Sequence, residues 1–257
     1  MKYLINSLFA YLIIAFVAIS CGENPSPNLT ISKNCKLSKV TESATGSNTI
    51  TTFKYDNTNK ILEILILVKL SNKEEKTIYT FTYNTAGQLA TRKLVSPTRV
   101  SDYTFFYKSN GQIEKEKVTG LFTGDTQNYQ DELKFEYNVA GKIIKMISND
   151  LFRIYNYDSK GNLSSVQTEY FSTVQITTYQ YDDKKSHLNL IQSGFPEEPN
   201  YQNMNNVLTF DFKRNGISAF SSKYEYVYNS KGLPTKYTVI GQNLNNSTAI
   251  FEYIDCE

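Results

Sequence analysis

The sequence predicts an all-β fold, an antiparallel meander of about eighteen strands rolled into a closed or nearly closed barrel. Three observations lead there. An aromatic-x-aromatic motif followed by Asp or Asn and then Gly recurs along the chain. The aromatic content is almost all Tyr and Phe, with no Trp. The two ends of the domain read as complementary halves of one further copy.

The clearest copy is Phe81-Thr82-Tyr83-Asn84-Thr85-Ala86-Gly87-Gln88-Leu89. Phe105 to Ile113, Phe135 to Ile143 and Tyr155 to Leu163 match it, with Gly111, Gly141 and Gly161 in place. Phe53 to Ile61 carries Asn59 at the glycine position, a residue that also accepts the left-handed conformation. Tyr179 to Leu188 has one extra residue, and Phe210 to Ile217 and Tyr226 to Leu233 move the aliphatic residue one place earlier. These eight copies are spaced 16 to 31 residues apart, a period that marks a repeat architecture. Alternating rings place both aromatics on one strand face. Asp or Asn followed by Gly suits a type I turn closed by a left-handed residue, the three-residue hairpin with a bulge. In that register Asn84 pairs with Gln88 and Tyr83 faces Leu89. The other face near the turn is mostly polar (Lys54, Thr82, Glu136, Asn156, Gln180, Asp211), so each hairpin buries one side and wets the other.

The chain ends in Tyr253-Ile254-Asp255-Cys256, an incoming half-repeat, and the domain opens with Cys35-Lys36-Leu37, an outgoing one. Joined, they form a ninth hairpin whose turn is replaced by a Cys35–Cys256 disulfide, which an exported compartment permits. The alternative is two unpaired thiols near the chain ends. Nine hairpins give an even number of strands, so first and last can pair antiparallel and leave no open edge. A lipid-spanning barrel is not expected. Thr91 and Lys93 follow Leu89, and Lys115 and Lys117 follow Ile113, which interrupts the apolar set a spanning strand of about 9–11 residues needs.

With 27 basic and 25 acidic residues the chain is near charge balance, which removes the electrostatic case for a nucleic-acid partner. Residues 1–20 read as an export signal, with Lys2 ahead of an apolar run from Leu8 to Val17. Ala18-Ile19-Ser20-Cys21 resembles the bacterial lipobox, which implies lipidation at Cys21, a membrane partner through that anchor and a tether over 21–33 ahead of a single domain over 34–257. The alternative is an ordinary signal peptide cut near Ser20. No Asp follows Cys21, so the analogy with lipoprotein sorting places the protein at the outer membrane, with its facing undecided.

Two family resemblances follow from these residues. Tyr157-Asp158-Ser159-Lys160-Gly161-Asn162-Leu163 resembles the YD repeats of Rhs-type proteins. The lipobox, the repeats across 35–256 and the terminal cysteines look like a family of bacterial lipoproteins with a porin-like fold. That family brings no established activity, so no functional residue carries over from it.

Connections 71–76, 96–102, 119–131, 192–206 and 241–247 are expected on the rim opposite the repeat turns, where loops on a rigid frame carry function. The candidate ligand-binding residues are Phe122, Tyr129, Phe195, Glu197, Glu198 and Tyr201, rings beside acids that suit a glycan or an envelope protein. The alternative is that Phe195 and Phe122 fold down to plug the barrel end. Glu197 and Glu198 alone fall short of a calcium site, and no metal or cofactor is expected. His187, beside Asp182, Asp183 and Ser186, is the one candidate for hydrolase chemistry, but no Gly-x-Ser-x-Gly elbow accompanies it. The expected role is therefore non-catalytic binding or scaffolding at the rim. The second expectation is an apolar ligand held inside the aromatic-lined barrel.

Overall fold

The repeat turns form as their residues dictate. In the computed structural model, which describes residues 35–149, 151–242 and 246–256, Asn84 N–H donates to Gln88 O at 2.9 Å and Gly87 N–H to Asn84 O at 2.8 Å. Asn84 Oδ1 takes the Gln88 N–H at 2.9 Å. Gly87 sits at φ 79°, and Asn59 fills the same left-handed position at φ 67°. Tyr83 faces Leu89 as the sequence predicts.

The strands are β1 (Lys36–Ala44), β2 (Ser47–Tyr55), β3 (Ile61–Leu70), β4 (Glu74–Tyr83), β5 (Leu89–Val95), β6 (Arg99–Tyr107), β7 (Ile113–Phe122) and β8 (Tyr129–Tyr137). They continue with β9 (Ile143–Ile147), β10 (Leu151–Tyr157), β11 (Leu163–Tyr170), β12 (Thr173–Lys185), β13 (Asn205–Arg214), β14 (Ile217–Tyr228), β15 (Pro234–Gln242) and β16 (Ser247–Ile254). Each pairs antiparallel with its neighbours in sequence, and β1 pairs with β16, so the sheet closes. A Cys35–Cys256 disulfide staples the seam where the split hairpin lacks its turn. Every pairing and the disulfide fall within the compact unit Ile31–Glu257. The export signal, Cys21 and the tether lie outside the described residues.

The count is sixteen strands, not about eighteen. The Phe210 copy explains the difference. Arg214 pairs directly with Ile217 across a two-residue Asn215-Gly216 turn, at φ 49° and 80°, on the rim opposite the other repeat turns. That copy therefore joins two strands already counted. The Tyr179 copy departs as well. Tyr181 pairs with Val207, and the chain between them makes an excursion through two 3-10 helices, His187–Gly194 and Pro199–Gln202. This excursion leaves from the repeat-turn rim and turns inward, burying Gly194, Glu197, Pro199 and Asn203, so it does not lie on the opposite rim expected for it.

One hydrogen-bond series explains why the second ring of the motif is Tyr in every copy except that of Phe210, where Phe212 stands and the turn lies on the other rim. The hydroxyl of each hairpin's Tyr donates to a backbone carbonyl in the hairpin before it. The pairs are Tyr55 to Leu37, Tyr83 to Ile61, Tyr107 to Leu89, Tyr137 to Ile113, Tyr157 to Ile143, Tyr181 to Leu163 and Tyr253 to Pro234, at 2.6–3.0 Å. Tyr228, whose preceding connection is the excursion, donates to Asp182 instead. Phe at these positions would strand a part-buried carbonyl, whereas the first ring only packs and is Phe or Tyr. Burial pushes the Tyr137 hydroxyl up to about 12, which keeps it a donor at neutral pH. Tyr137→Phe should lower unfolding free energy by about 1–2 kcal/mol in urea titration. An unchanged urea midpoint would show that the ladder contributes packing alone.

The bulge in each hairpin also decides which residues face inward. The extra residue after Leu89 reverses the alternation, so Arg92 and Leu94 point inside while Thr91 and Lys93 point out. In β7, Glu116 and Val118 are buried, and Lys115 and Lys117 lie outside. The sequence reading, which ignored this shift, put the lysines on the ring-bearing face. The outer wall is thus charged, with cross-strand pairs Lys54–Glu63, Lys93–Asp102, Lys115–Glu132 and Lys145–Glu136. Lipid-facing charge of this kind is strongly unfavourable, and the motif's rings pack into the interior core.

Candidate functional site

The excursion after β12 is held in the barrel by charge and shape. Arg92, 7% exposed, donates from one terminal nitrogen to Glu197 Oε1, and its other terminal nitrogen lies 3.4 Å from Glu116 Oε1. Its guanidinium sits 4.4 Å from the Tyr103 ring and 5.2 Å from the Phe195 ring. Burial works against the Arg92 charge, and the facing Glu197 and Glu116 carboxylates outweigh it, raising its pKa further. Glu116 is raised to about 8, first by burial and then by repulsion from Glu197. Glu198 is raised for the same two reasons, in the same order. Gly194 passes so close to Phe81 that an added Cβ would lie 2.9 Å from its ring. At the exit, Asn203 Oδ1 accepts the Leu163 N–H at 2.8 Å, and Asn162 Oδ1 takes the N–H groups of Met204 and Asn205.

Beneath this plug lies a cavity of about 370 Å³. Its wall is Leu37, Val40 and Glu42 of β1, Thr51 and Phe53 of β2, Ile64 and Ile66 of β3 and Tyr79 of β4, closed by Tyr237 and Phe251. His187, Leu188, Ile191, Phe195 and Tyr201 of the plug complete it. Among these lining residues Glu42 alone is an acid or a strong base. The Tyr237 hydroxyl donates to Glu42 Oε1, and no described lysine or arginine pairs with that carboxylate. Burial first, then the Glu42 charge, raises the Tyr237 pKa and keeps its proton in place. A broader hollow of about 630 Å³ over β12–β15 is lined by polar side chains including Thr178, Gln180, Asp211 and Lys223.

His187 is not arranged as a catalytic base. Its ring nitrogen Nδ1 lies 3.1 Å from Asn206 Oδ1, and its ring packs 4.5 Å from Phe251. Asp182 is engaged by Asn206 and Tyr228, and Ser186 Oγ accepts the Leu188 N–H. Burial pushes the imidazole down to about 4 from 6.5, so it is neutral at neutral pH. The sign of the linkage follows. The unfolded chain takes up this proton first, so the stability contributed by neutral His187 is complete above about 6.5 and is lost as pH falls toward about 4. His187→Gln removes that component. The difference in urea midpoint between the two proteins should move in favour of the variant across this window, and a constant difference would contradict the buried, neutral imidazole.

The six residues expected to bind ligand separate into three places. Phe195 and Tyr201 stack 4.7 Å apart and line the cavity, while Glu197 anchors the plug and Glu198 lies beside it. Phe122 and Tyr129 stay on the rim opposite the repeat turns, their rings 5.1 Å apart. Of the two rings expected as plugs, Phe195 turns in and Phe122 remains 45% exposed. Sequence reasoning missed Arg92, Glu116 and Glu42. The bulge shift would have placed the first two inside, and the unbroken alternation Val40, Glu42 in β1 would have placed the third.

No family model and no curated protein matches the sequence. Among solved structures, a porin-like protein from Bacteroides uniformis superposes with a TM-score of 0.58, covering 84% of this chain and 97% of that one at 11% identity. A porin-like protein from Bacteroides vulgatus gives a TM-score of 0.45 at 13% identity, covering 86% and 99%. At such identity the first likeness shows the fold alone, and the chain has a porin-like fold.

Proposed function

We propose that this chain is a non-catalytic, lipid-anchored protein of the bacterial envelope that carries an apolar ligand inside its barrel. The cavity carries the reading. A plug that brings Phe195, Tyr201 and Ile191 into the barrel still leaves about 370 Å³ among rings and aliphatic side chains. Space of that size and lining suits a small apolar molecule. Cys21 supplies the membrane anchor, and the charged outer wall keeps the barrel itself in water. N-phenyl-1-naphthylamine, an apolar dye, should bind one per barrel with a rise in fluorescence. Thr51→Phe, which places a ring in the cavity, should abolish the rise without lowering the melting temperature. A signal that is absent from the wild type, or that survives in Thr51→Phe, would overturn the interior site.

A second reading rests on the opposite rim, where Phe122 and Tyr129 are joined by Tyr170 and Phe171 at the next-but-one hairpin tip. Their rings are 4.5 Å apart, and Phe171 is 77% exposed at φ 51°. A bulky residue held in the left-handed region at an exposed tip costs of order 1–3 kcal/mol. That expense favours a role for the tip, such as stacking on a glycan or docking an envelope protein.

A further inference from the structure

The lining of the cavity specifies more than an apolar occupant. Glu42 brings one negative charge, while His187 adds no positive one because its imidazole is buried and neutral. Tyr237 spends its hydroxyl on Glu42 and presents its ring to the same space. Phe53, Tyr79 and Phe251 add three more aromatic rings around the cavity. A carboxylate on a wall that also carries aromatic rings attracts a cation through Coulomb interaction, and a ring face within reach adds its quadrupole. A ligand that brought its own carboxylate would place two like charges side by side, which is unfavourable. Val40, Ile64 and Ile66, across from Ile191, offer the aliphatic surface that an apolar tail would cover.

We propose that the cavity selects an apolar molecule bearing a cationic amine, with the ammonium seated at Glu42 beside Tyr237 and the tail along β1–β3. This inference rests on the interior-site reading, and its test separates the two. Calorimetric titration with dodecylammonium, dodecanol and dodecanoate compares one tail under three heads. Dodecylammonium should bind about tenfold or more tighter than dodecanol, with dodecanoate weakest. Glu42→Gln should erase the preference for ammonium over alcohol while leaving alcohol affinity in place, and Glu42→Asp should retain the preference.

Equal affinities, tightest binding of dodecanoate, or a preference that survives Glu42→Gln would overturn the amine selection. The interior site would still stand, provided Thr51→Phe abolishes binding. No binding of any of the three, or undiminished binding to Thr51→Phe, would overturn the interior site and the selection with it. Should Glu42→Gln fail to fold, the order of the three heads on the wild type decides the question.

Discussion

Reduction of the Cys35–Cys256 disulfide, or Cys256→Ser, should lower the melting temperature by about 10–20 °C. The bond closes a loop with a sequence separation of 221 residues. In the chain-entropy model a loop of that length is worth about 5 kcal/mol, and for a domain of this size each kcal/mol moves the midpoint by about 2–4 °C. The consequence is also local. Lys36 pairs with Ile254 beside the bond, and the Lys36–Asp255 and Lys39–Glu252 ion pairs and the Ser38 hydroxyl, donating to Glu252 O, also tie that end of the seam. Without the disulfide, β1 and β16 become the fraying point of an otherwise edgeless sheet. Amide hydrogen exchange should therefore rise first in 36–44 and 247–254. A reduced protein that melts within about 2 °C of the oxidised one would contradict closure by this staple.

Arg92→Met should be the most damaging point substitution in the interior. Removing one partner of a buried ion pair costs about 3–5 kcal/mol, because the remaining charge keeps its desolvation penalty without its compensation. Here Glu116 and Glu197 both lose their cation, with Glu198 close by. The loss should grow as pH rises above about 8, where Glu116 ionises beside Arg92 in the wild type but has no cation to meet in the variant. Arg92→Met combined with Glu116→Gln and Glu197→Gln should recover part of it, as neutral groups are cheaper to bury. Denaturant titration reads the global effect, and hydrogen exchange over 187–204 reads release of the plug. A loss below about 1 kcal/mol with the plug still protected would show that Arg92 does not hold it.

Much of the barrel was legible because the turn chemistry is local. Asp or Asn (Lys108 in the Phe105 copy), then Gly or Asn59, fixes the hairpins within a few residues, and the split Tyr253 to Leu37 copy states its own closure. The strand total was misjudged at Phe210, where the same letters make a two-residue turn on the other rim. Local motif cannot tell which rim a turn occupies, since that depends on the strands before it. The interior charges escaped for a related reason. One bulge residue reverses the inward set, so Arg92 and Glu116 read as surface positions until the register is known. The plug was the hardest part, because its anchors (Arg92 for Glu197, Phe81 for Gly194, Leu163 for Asn203) lie far away in sequence. Phe195 and Tyr201 were picked out as rings able to meet a ligand, and the fold puts them on the wall of a cavity instead of a rim.

Occupancy of the interior decides between the cavity and the rim as the ligand site. Native mass spectrometry of the protein purified from its own envelope addresses that most directly. The prediction is a reproducible extra mass on the folded barrel that is released on denaturation and is missing from Thr51→Phe. A bare mass for the wild type under the gentlest ionisation would contradict it, and would leave the Phe122–Tyr129 and Tyr170–Phe171 rim as the binding surface.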